Sequence, residues 1–465
     1  MQRRNARGSL RRPTHLSPLT PIRSSTLLAR VPFRLLLLLP ALLLSLSLSL
    51  QPASAQNAVA QLARSHFAPY GMRLPSRQFT AALRAAALDT TALSCPGARS
   101  HSSSSSSSST GSSNSRSSSR SLVLLAMANE EAMTHTVPPF LLSMRRVRLS
   151  YPYPQQQRPG AAVAAAAEAG VGRQQTEEEE GSGVGLDGAL VLVGWSAGAV
   201  AACRALQAEF RHQCVRDAEH AAAAALGGSF GFHDSGFNSL GFAKIKYILN
   251  GLSAGHDVVF LDTDLLLLRD PLPYLLGQGG DMYGAMEKCM VVNASLHLHA
   301  REYVAGGRKA PPLNIGVLYF KATAGVTRCV YNWAREMQSE VQQRPRVWDQ
   351  DIYGKVMGRC TAIQGLRWHL LDPRVFQSGC FPGCGCSFRD EEVTPARLGA
   401  FSRGHRLLPG GLCGPQHWGS WLLRHFPCSG LTREKGELMR GLLDGYYSNH
   451  TARITKPSRA KIGRL

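Results

Sequence analysis

The pattern of hydrophobic and polar positions becomes regular at about residue 121. Short apolar runs then predict buried strands at residues 121–126, 189–194, 257–264, 281–285 and 313–320. Between these runs, apolar residues at helical spacing predict helices at residues 133–146, 196–210 and 242–252. Strands and helices that alternate in this way predict an α/β fold, a mostly parallel central sheet with helices on both faces.

One of the predicted strands ends in two carboxylates, Asp262 and Asp264. Ligands of open α/β sheets bind outside the carboxyl ends of the strands, so we expect these side chains at the edge of the sheet where a ligand binds. Two carboxylates there can hold a hard divalent cation, which can in turn hold a diphosphate. A second acidic pair, Asp349 and Asp351, precedes a helix-like segment, where aspartate also serves as a helix cap.

The chain before residue 121 carries targeting features and no apparent core. Residues 1–34 hold eight arginines and no acid, and residues 35–50 are leucine-rich and lead to a small-residue cleavage signal at 53–55. We interpret residues 1–55 as a cleaved signal peptide or a type II signal anchor, although 16 apolar residues are short for a span of about 20. A plastid transit peptide is the third option, which the compact leucine block disfavours.

Low-complexity segments divide the remainder. Residues 56–120 are rich in Ser, Ala and Arg and show no periodic apolar face, which predicts a disordered stem. Residues 121–455 form the predicted domain. Residues 150–188 interrupt it with Pro, Ala, Gln and Glu runs and are interpreted as an insertion in a surface loop. Residues 456–465 form a basic tail.

Charge and cysteine content restrict which partners and which cellular compartment the sequence supports. The net charge is +21, but residues 1–120 contain 15 arginines and one acid, so the basic excess lies mainly outside the predicted domain and does not indicate a nucleic-acid partner. Eleven cysteines and two glycosylation sequons, at Asn293 and Asn449, indicate an oxidising lumen with disulfides. The cluster at residues 380–386 lacks the spacing of zinc sites, which favours a disulfide-pinned loop over a metal.

Six motifs occur in a specific order within this domain. They lie at residues 244–246, 255–264, 269–274, 313–316 and 349–351, and in a final group made of His425, Gly430 and Lys435. This arrangement resembles a plant and algal nucleotide-diphospho-sugar transferase family, glycosyltransferase family 77, which includes extensin arabinosyltransferases and pectin xylosyltransferases. The resemblance covers about residues 121–447. It implies a GT-A nucleotide-sugar-binding fold, metal-dependent retaining transfer and a single-pass type II protein of the Golgi or endomembrane lumen.

The resemblance also implies roles for individual residues. Asp262, Asp264 and His425 would bind Mn²⁺ or Mg²⁺. Residues that would contact the nucleoside-diphosphate sugar are Lys244, Asp262, Asn314, Gly316, Gly430 and Lys435. The interval between His425 and Lys435 is longer than the family's usual one. Lys244 could instead be a solvated lysine on a helix. Asn314 could instead form a hydrogen bond within a turn.

The motif at Asp349, Gln350 and Asp351 would lie beside the anomeric carbon of the donor sugar and supply the catalytic residues. One carboxylate could stabilise an oxocarbenium-like state, bond the donor sugar or act as a nucleophile. Arabinose, xylose and galactose donors all fit the family, with a cell-wall glycoprotein or polysaccharide as acceptor.

Two other classes are compatible with an acidic pair at a strand end. One is a phosphohydrolase that uses the pair as nucleophile and acid. Leu265 after the motif and the long stretch of domain before it disfavour that class. The other is a non-catalytic relative that binds glycans, against which the intact Asp262, Asp264 and His425 count.

Overall fold

The computed structural model describes most of the predicted domain and a short segment before it. The described residues are 75–90, 120–147, 185–216, 235–287, 313–344, 347–384 and 403–455. All of them belong to one compact unit, Pro52–Leu465.

The described residues form eleven strands. They are β1 Leu88–Asp89, β2 Ser121–Ala128, β3 Leu190–Gly194, β4 Gln213–Arg216, β5 His256–Leu261, β6 Leu265–Leu267, β7 Met282–Met286, β8 Leu313–Phe320, β9 Trp368–Leu370, β10 Phe376–Ser378 and β11 Leu423–His425.

The α-helices alternate with these strands. They are α1 Arg77–Ala86, α2 Glu130–His135, α3 Val137–Arg146, α4 Ala197–Leu206, α5 Ser235–Ser253, α6 Leu272–Gly277, α7 Ala324–Gln343, α8 Asp349–Gln364, α9 Arg403–Arg406, α10 Pro415–Trp418 and α11 Thr432–Thr455.

The main sheet confirms the predicted α/β fold. Its order is β4-β3-β2-β5-β8-β7-β9, with β1 paired to β2 as a side branch. Strands β4, β3, β2 and β5 are mutually parallel, β8 runs antiparallel to β5 and β7, and β9 is parallel to β7. The reversal of β8 matters for the site, because it brings the first residues of β8 to the edge where β5 ends.

The core lies on both faces of this sheet. Alternate residues of β2 point to opposite faces, as strand geometry requires: Leu122 and Leu124 join one cluster of buried residues, while Val123 and Leu125 join the other. Burial on both faces explains why the strands read as continuous apolar runs and not as alternating patterns.

A second, three-stranded sheet joins distant parts of the chain. Its order is β10-β11-β6, where β10 and β11 are parallel and β11 is antiparallel to β6. Strand β6 follows Asp264 immediately, and in its register with β11 Leu265 lies opposite His425. This pairing carries residues from the end of the domain to the end of β5.

The predicted strands and helices are found, with four adjustments to their bounds. The predicted helix at residues 242–252 begins earlier, at Ser235, and the predicted strand at residues 257–264 ends at Leu261. The predicted helix at residues 133–146 is two helices, α2 and α3, which meet at Thr136 just before Pro138 at the start of α3. The predicted helix at residues 196–210 ends at Leu206, and Ser196 caps its first turn by accepting from the Ala199 N–H.

The prediction of a disordered stem is wrong for residues 75–90. Helix α1 begins after Ser76, whose side chain accepts from the Phe79 N–H, and it buries Phe79 and Leu83 against the sheet. Strand β1 then extends the sheet beside β2. The four buried positions of α1 are spaced three to four residues apart, the periodicity of a helix face, but they are surrounded by low-complexity sequence that conceals the pattern.

The cysteines of the described residues are largely paired, as the prediction of an oxidising compartment requires. The three defined bonds are Cys203–Cys214, Cys329–Cys360 and Cys380–Cys428. Cys384 and Cys413 are also disulfide-bonded. Cys380 thus pairs outside its local cluster, which favours the disulfide interpretation of that cluster over zinc.

The described part of the chain contains no helix that combines the length and the apolarity needed to cross a bilayer. Residues 35–50, where the signal peptide or anchor is predicted, lie outside the described residues, as do the 150–184 part of the predicted insertion and residues 456–465.

Candidate active site

A cavity of about 590 Å³ opens at the carboxyl ends of the parallel strands. Three neighbouring strands deliver residues to it directly after they end: Asn129 follows β2, Trp195 follows β3, and Asp262 follows β5. The cavity therefore lies at the edge of an open α/β sheet where such folds bind their ligands.

Both carboxylate oxygens of Asp264 are bonded by side chains from the last part of the domain. Its Oδ1 lies 3.0 Å from His425 Nε2, and its Oδ2 accepts from Lys435 Nζ at 2.7 Å. Burial alone would raise the pKa of Asp264, but the charges of Lys435 and His425 outweigh it and hold the pKa well below its ordinary value. Asp264 is therefore ionised at neutral pH.

His425 and Lys435 reach this carboxylate from more than 150 residues along the chain. Strand β11 pairs with β6 beside Asp264, and the backbone N–H of Phe426 donates to Asp264 O at 2.8 Å. A turn at Gly430, with φ of +88°, then leads into α11, where Lys435 lies in the first turn. Only glycine adopts that φ without strain, which explains the residue at this point of the turn.

Asp262 is paired with a buried lysine. Lys244 Nζ lies 3.0 Å from Asp262 Oδ1 and donates to the carbonyl of Ile315 at 3.2 Å. Desolvation acts to lower the pKa of Lys244, but the charges of Asp262 and then Asp349 overcome it, so the pKa is raised. The alternative of a solvated helix lysine is wrong, since the Lys244 residue is only 5% exposed.

The reversed strand β8 contributes Asn314 and Gly316. Asn314 lines the cavity while its Oδ1 accepts from the Gly316 N–H at 2.9 Å, so it both faces the cavity and bonds a turn. Gly316 does not line the cavity. A Cβ at this position would clash with the imidazole of His425, and its carbonyl accepts from the Asp262 N–H at 2.8 Å. Gly316 thus admits the His425 ring instead of contacting a donor.

The donor atoms at the end of β5 fit a divalent cation. Asp262, Asp264 and His425 each offer a ligand atom, and these atoms lie within 4.8 Å of one another. Two carboxylates and one imidazole suit Mn²⁺ and are compatible with Mg²⁺. These are the three residues for which the sequence predicted metal binding.

The second acidic motif is divided between the cavity and the surface. Asp349 and Gln350 line the cavity, and Gln350 Oε1 accepts from the Ile315 N–H at 3.3 Å. Burial raises the pKa of Asp349 to about 6, although the neighbouring Lys244 opposes the rise. The Asp351 side chain instead accepts from the Trp348 N–H at 3.3 Å and caps α8. The prediction that Asp351 belongs to the site is therefore wrong.

Nine of the predicted site residues consequently meet in one cavity, and Gly316 lies directly behind His425. The nine are Lys244, Asp262, Asp264, Asn314, Asp349, Gln350, His425, Gly430 and Lys435. Lys435 lies at the site despite the long interval that separates it from His425.

The cavity also contains residues that sequence reasoning did not assign. Asn129, Thr136, Thr263 and Glu287 all line it. Asn129 could have been found by the rule that located Asp262, because both residues directly follow a buried parallel strand. Thr136 comes from the junction of two helices, a position that no sequence pattern marks.

Tryptophan side chains, whose flat faces can stack on sugar rings, lie both in the cavity and in the core. Trp195 and Trp348 line the cavity, whereas Trp418 and Trp421 belong to the buried core beside α11.

The chain is similar to known proteins over part of its length. The model of the nucleotide-diphospho-sugar transferase family matches residues 200–396, a range that includes Asp262, Asp264 and Asp349. UDP-D-xylose:L-fucose α-1,3-D-xylosyltransferase 3 of Arabidopsis thaliana is 27% identical over 171 residues. That alignment covers 34% of this chain and 40% of the relative, so the match spans less than half of the relative's length.

Two solved structures are similar in outline. Mouse xyloside xylosyltransferase 1 in its apo form has a TM-score of 0.33 and 14% identity, over 67% of this chain and 99% of that chain. Galactosyltransferase LgtC, solved with donor and acceptor sugar analogues, has a TM-score of 0.35 and 12% identity, over 69% of this chain and 96% of that chain. TM-scores of this size do not indicate an activity. The α/β fold is assigned from the strand order described above.

Proposed function

Because residues 200–396 match the nucleotide-diphospho-sugar transferase family, we propose that this protein is a metal-dependent retaining glycosyltransferase. It moves a pentose or galactose from a nucleoside-diphosphate donor to a glycan or glycoprotein acceptor. The observation that supports this most is the meeting of Asp262, Asp264 and His425 at the carboxyl end of β5, in one cavity with Lys244 and Lys435.

The charges of the cavity suit a nucleoside diphosphate. Asp262, Asp264 and His425 would hold Mn²⁺ or Mg²⁺, which stabilises the negative charge of the departing diphosphate when bound. Lys244 and Lys435 place two further cationic groups at the same edge of the sheet. A volume of about 590 Å³ is in the range of small-molecule sites that enclose a ligand of this size.

The residues at the start of α8 support transfer chemistry in the same cavity. Asp349 is buried there beside the Lys244–Asp262 pair, and Gln350 is fixed to the start of β8. We assign Asp349 to the donor sugar, where a carboxylate can stabilise positive charge that develops at the anomeric carbon. Gln350 orients the sugar with its amide.

The donor and compartment follow from the relatives and the head of the chain. The Arabidopsis relative is named for UDP-D-xylose, which makes UDP-xylose the first donor to test, ahead of galactose and arabinose donors. The acceptor is a cell-wall glycoprotein or polysaccharide. The basic, leucine-rich head delivers the protein to the Golgi or endomembrane lumen, either as a cleaved signal or as a type II anchor.

The test is a donor screen with the full chain. Hydrolysis of UDP-xylose, UDP-galactose and UDP-arabinose is measured with Mn²⁺ and after chelation, with parent protein and two lysine variants. We expect Lys244→Met to lose most activity and Lys246→Met to keep it, since Lys246 lies on the same helix but does not line the cavity. Absence of hydrolysis with every donor, or activity that survives chelation, would contradict the proposal.

A further inference from the structure

One wall of the cavity is a disulfide. Cys380 and Cys428 are bonded to each other, with their Cα atoms 4.8 Å apart, and both residues line the cavity. Cys428 lies three residues after His425, and Cys380 lies two residues after β10. The bond therefore connects the segment that carries the metal-site histidine to the neighbouring strand of the second sheet.

Among the described residues, the segment between His425 and Lys435 makes few backbone hydrogen bonds to other parts of the fold. Its first residues are fixed by two such bonds: the Phe426 N–H donates to Asp264 O, and the Gly379 N–H donates to His425 O, each at 2.8 Å. Beyond Phe426 the backbone bonds are local, from the Ser429 N–H to Phe426 O and from the Lys435 N–H to Leu431 O.

We propose that the Cys380–Cys428 disulfide is a positioning element of the active site, which fixes the segment between His425 and Lys435 and thereby sets the affinity of the cavity for a divalent cation. The inference rests on the proposed function. His425 and Lys435 both contact Asp264, so a shift of the segment between them moves both side-chain partners of one carboxylate of the proposed metal site. Groups that orient metal ligands typically change metal affinity by 10-fold to 100-fold when they are removed.

The chain offers a matched control in Cys203–Cys214, which joins α4 to β4 and contributes nothing to the cavity lining. The experiment compares the full-length parent with the double variants Cys380→Ser/Cys428→Ser and Cys203→Ser/Cys214→Ser. Mn²⁺ affinity is measured by titration calorimetry without donor, together with the Tm of each protein without metal.

We expect both double variants to lose Tm and only the first to lose Mn²⁺ affinity, by about tenfold or more. Equal Mn²⁺ affinity in the first variant and the parent would overturn the inference while the proposed function stands. Equal loss in both variants would also overturn it, because the effect would then be one of general stability. A parent that binds no divalent cation would overturn the proposed function and this inference together.

A second measurement covers the case in which the first variant does not fold. Cys428 is exposed whereas Cys203 is fully buried, so a small dithiol should open Cys380–Cys428 first in the folded parent. A thiolate of the reagent attacks one sulfur, forms a mixed disulfide with it and releases the other cysteine as a thiol. The second thiolate of the reagent attacks the mixed disulfide, releases the second cysteine and leaves the reagent as a cyclic disulfide.

Mass spectrometry after alkylation identifies which bond has opened. Mn²⁺ affinity should fall as the Cys380–Cys428 thiols appear and return when a small-molecule disulfide, which is itself reduced to two thiols, re-forms the bond. Unchanged Mn²⁺ affinity after this bond has been opened would overturn the inference.

Discussion

The two acidic motifs of this protein have the same spacing, but their side chains lie in different surroundings. Asp262 and Asp264 both enter the cavity, whereas of Asp349 and Asp351 only the first does so. The difference lies in the backbone that carries them. After β5 the chain bends at Thr263 and Asp264, and Asp262, Thr263 and Asp264 all line the cavity. On a helix, residues two apart lie on different faces, so Asp349 lines the cavity whereas Asp351 caps the start of α8.

The two motifs also differ in the pKa of their carboxyl groups. Asp264 bonds to Lys435 and His425 and has a lowered pKa, while burial raises the pKa of Asp349 to about 6. The first motif thus stays charged, as the proposed metal binding requires. The second places one carboxyl group whose ionisation depends on its neighbours.

The largest expected effect is at the first motif. Asp264→Asn should lower both Mn²⁺ affinity and sugar transfer, with transfer reduced roughly 100-fold or more, because it removes a metal-ligand charge in the cavity. Calorimetry and initial rates with saturating donor measure the two effects. Asp351→Asn is the matched control, since it makes the same change in a motif of the same spacing and should leave both quantities near the parent values. Near-parental transfer by Asp264→Asn with Mn²⁺ present would contradict the division of roles.

A smaller effect on a different quantity is expected at Asp349. Asp349→Asn should reduce transfer roughly tenfold to 100-fold while Mn²⁺ affinity changes little, because the proposed function assigns Asp349 to the donor sugar and not to the metal. Measuring kcat and Mn²⁺ affinity on the same preparation separates the two motifs. If Asp349→Asn lost as much Mn²⁺ affinity as Asp264→Asn, the separation would be contradicted, because Asp349 would then belong to the metal site.

The raised pKa of Asp349 makes a prediction about stability. Its folded-state pKa, about 6, lies above its ordinary value, so the folded protein binds this proton more tightly than the unfolded chain. The stabilisation is present below the ordinary carboxyl pKa and is lost as pH rises to about 6. Without divalent cation, the Tm of the parent relative to Asp349→Asn should fall between pH 4 and 7. A difference that stays flat, or that grows with pH, would contradict the burial of this carboxyl group.

The smallest expected effect is at the helix cap. Asp351→Ala removes the side chain that accepts from the Trp348 N–H and should lower the free energy of unfolding by about 0.5–1 kcal/mol. Transfer should stay within about twofold of the parent, because the side chain is exposed and outside the cavity. Denaturant unfolding and initial rates measure the two quantities. A large loss of transfer would return Asp351 to the active site.

The sequence by itself determined the α/β fold and the strand that ends at Asp262, because apolar periodicity and strand burial are local properties of the chain. It also placed Lys244, Asn314, Asp349 and His425 among the site residues, through a resemblance in motif order. It missed α1 and β1, because a helix face between low-complexity segments gives too weak a periodic signal to distinguish from a flexible stem.

Only the tertiary structure decided which of these residues share a cavity and in which roles. The pairing of β11 with β6 brings His425 to Asp264, and the reversal of β8 brings Asn314 to the end of β5. The same packing places the His425 ring against Gly316, where a larger side chain would clash with it. It leaves Asp351 outside the cavity, as a helix cap. These outcomes depend on strand register and helix phase between segments far apart in the chain, which no local pattern encodes.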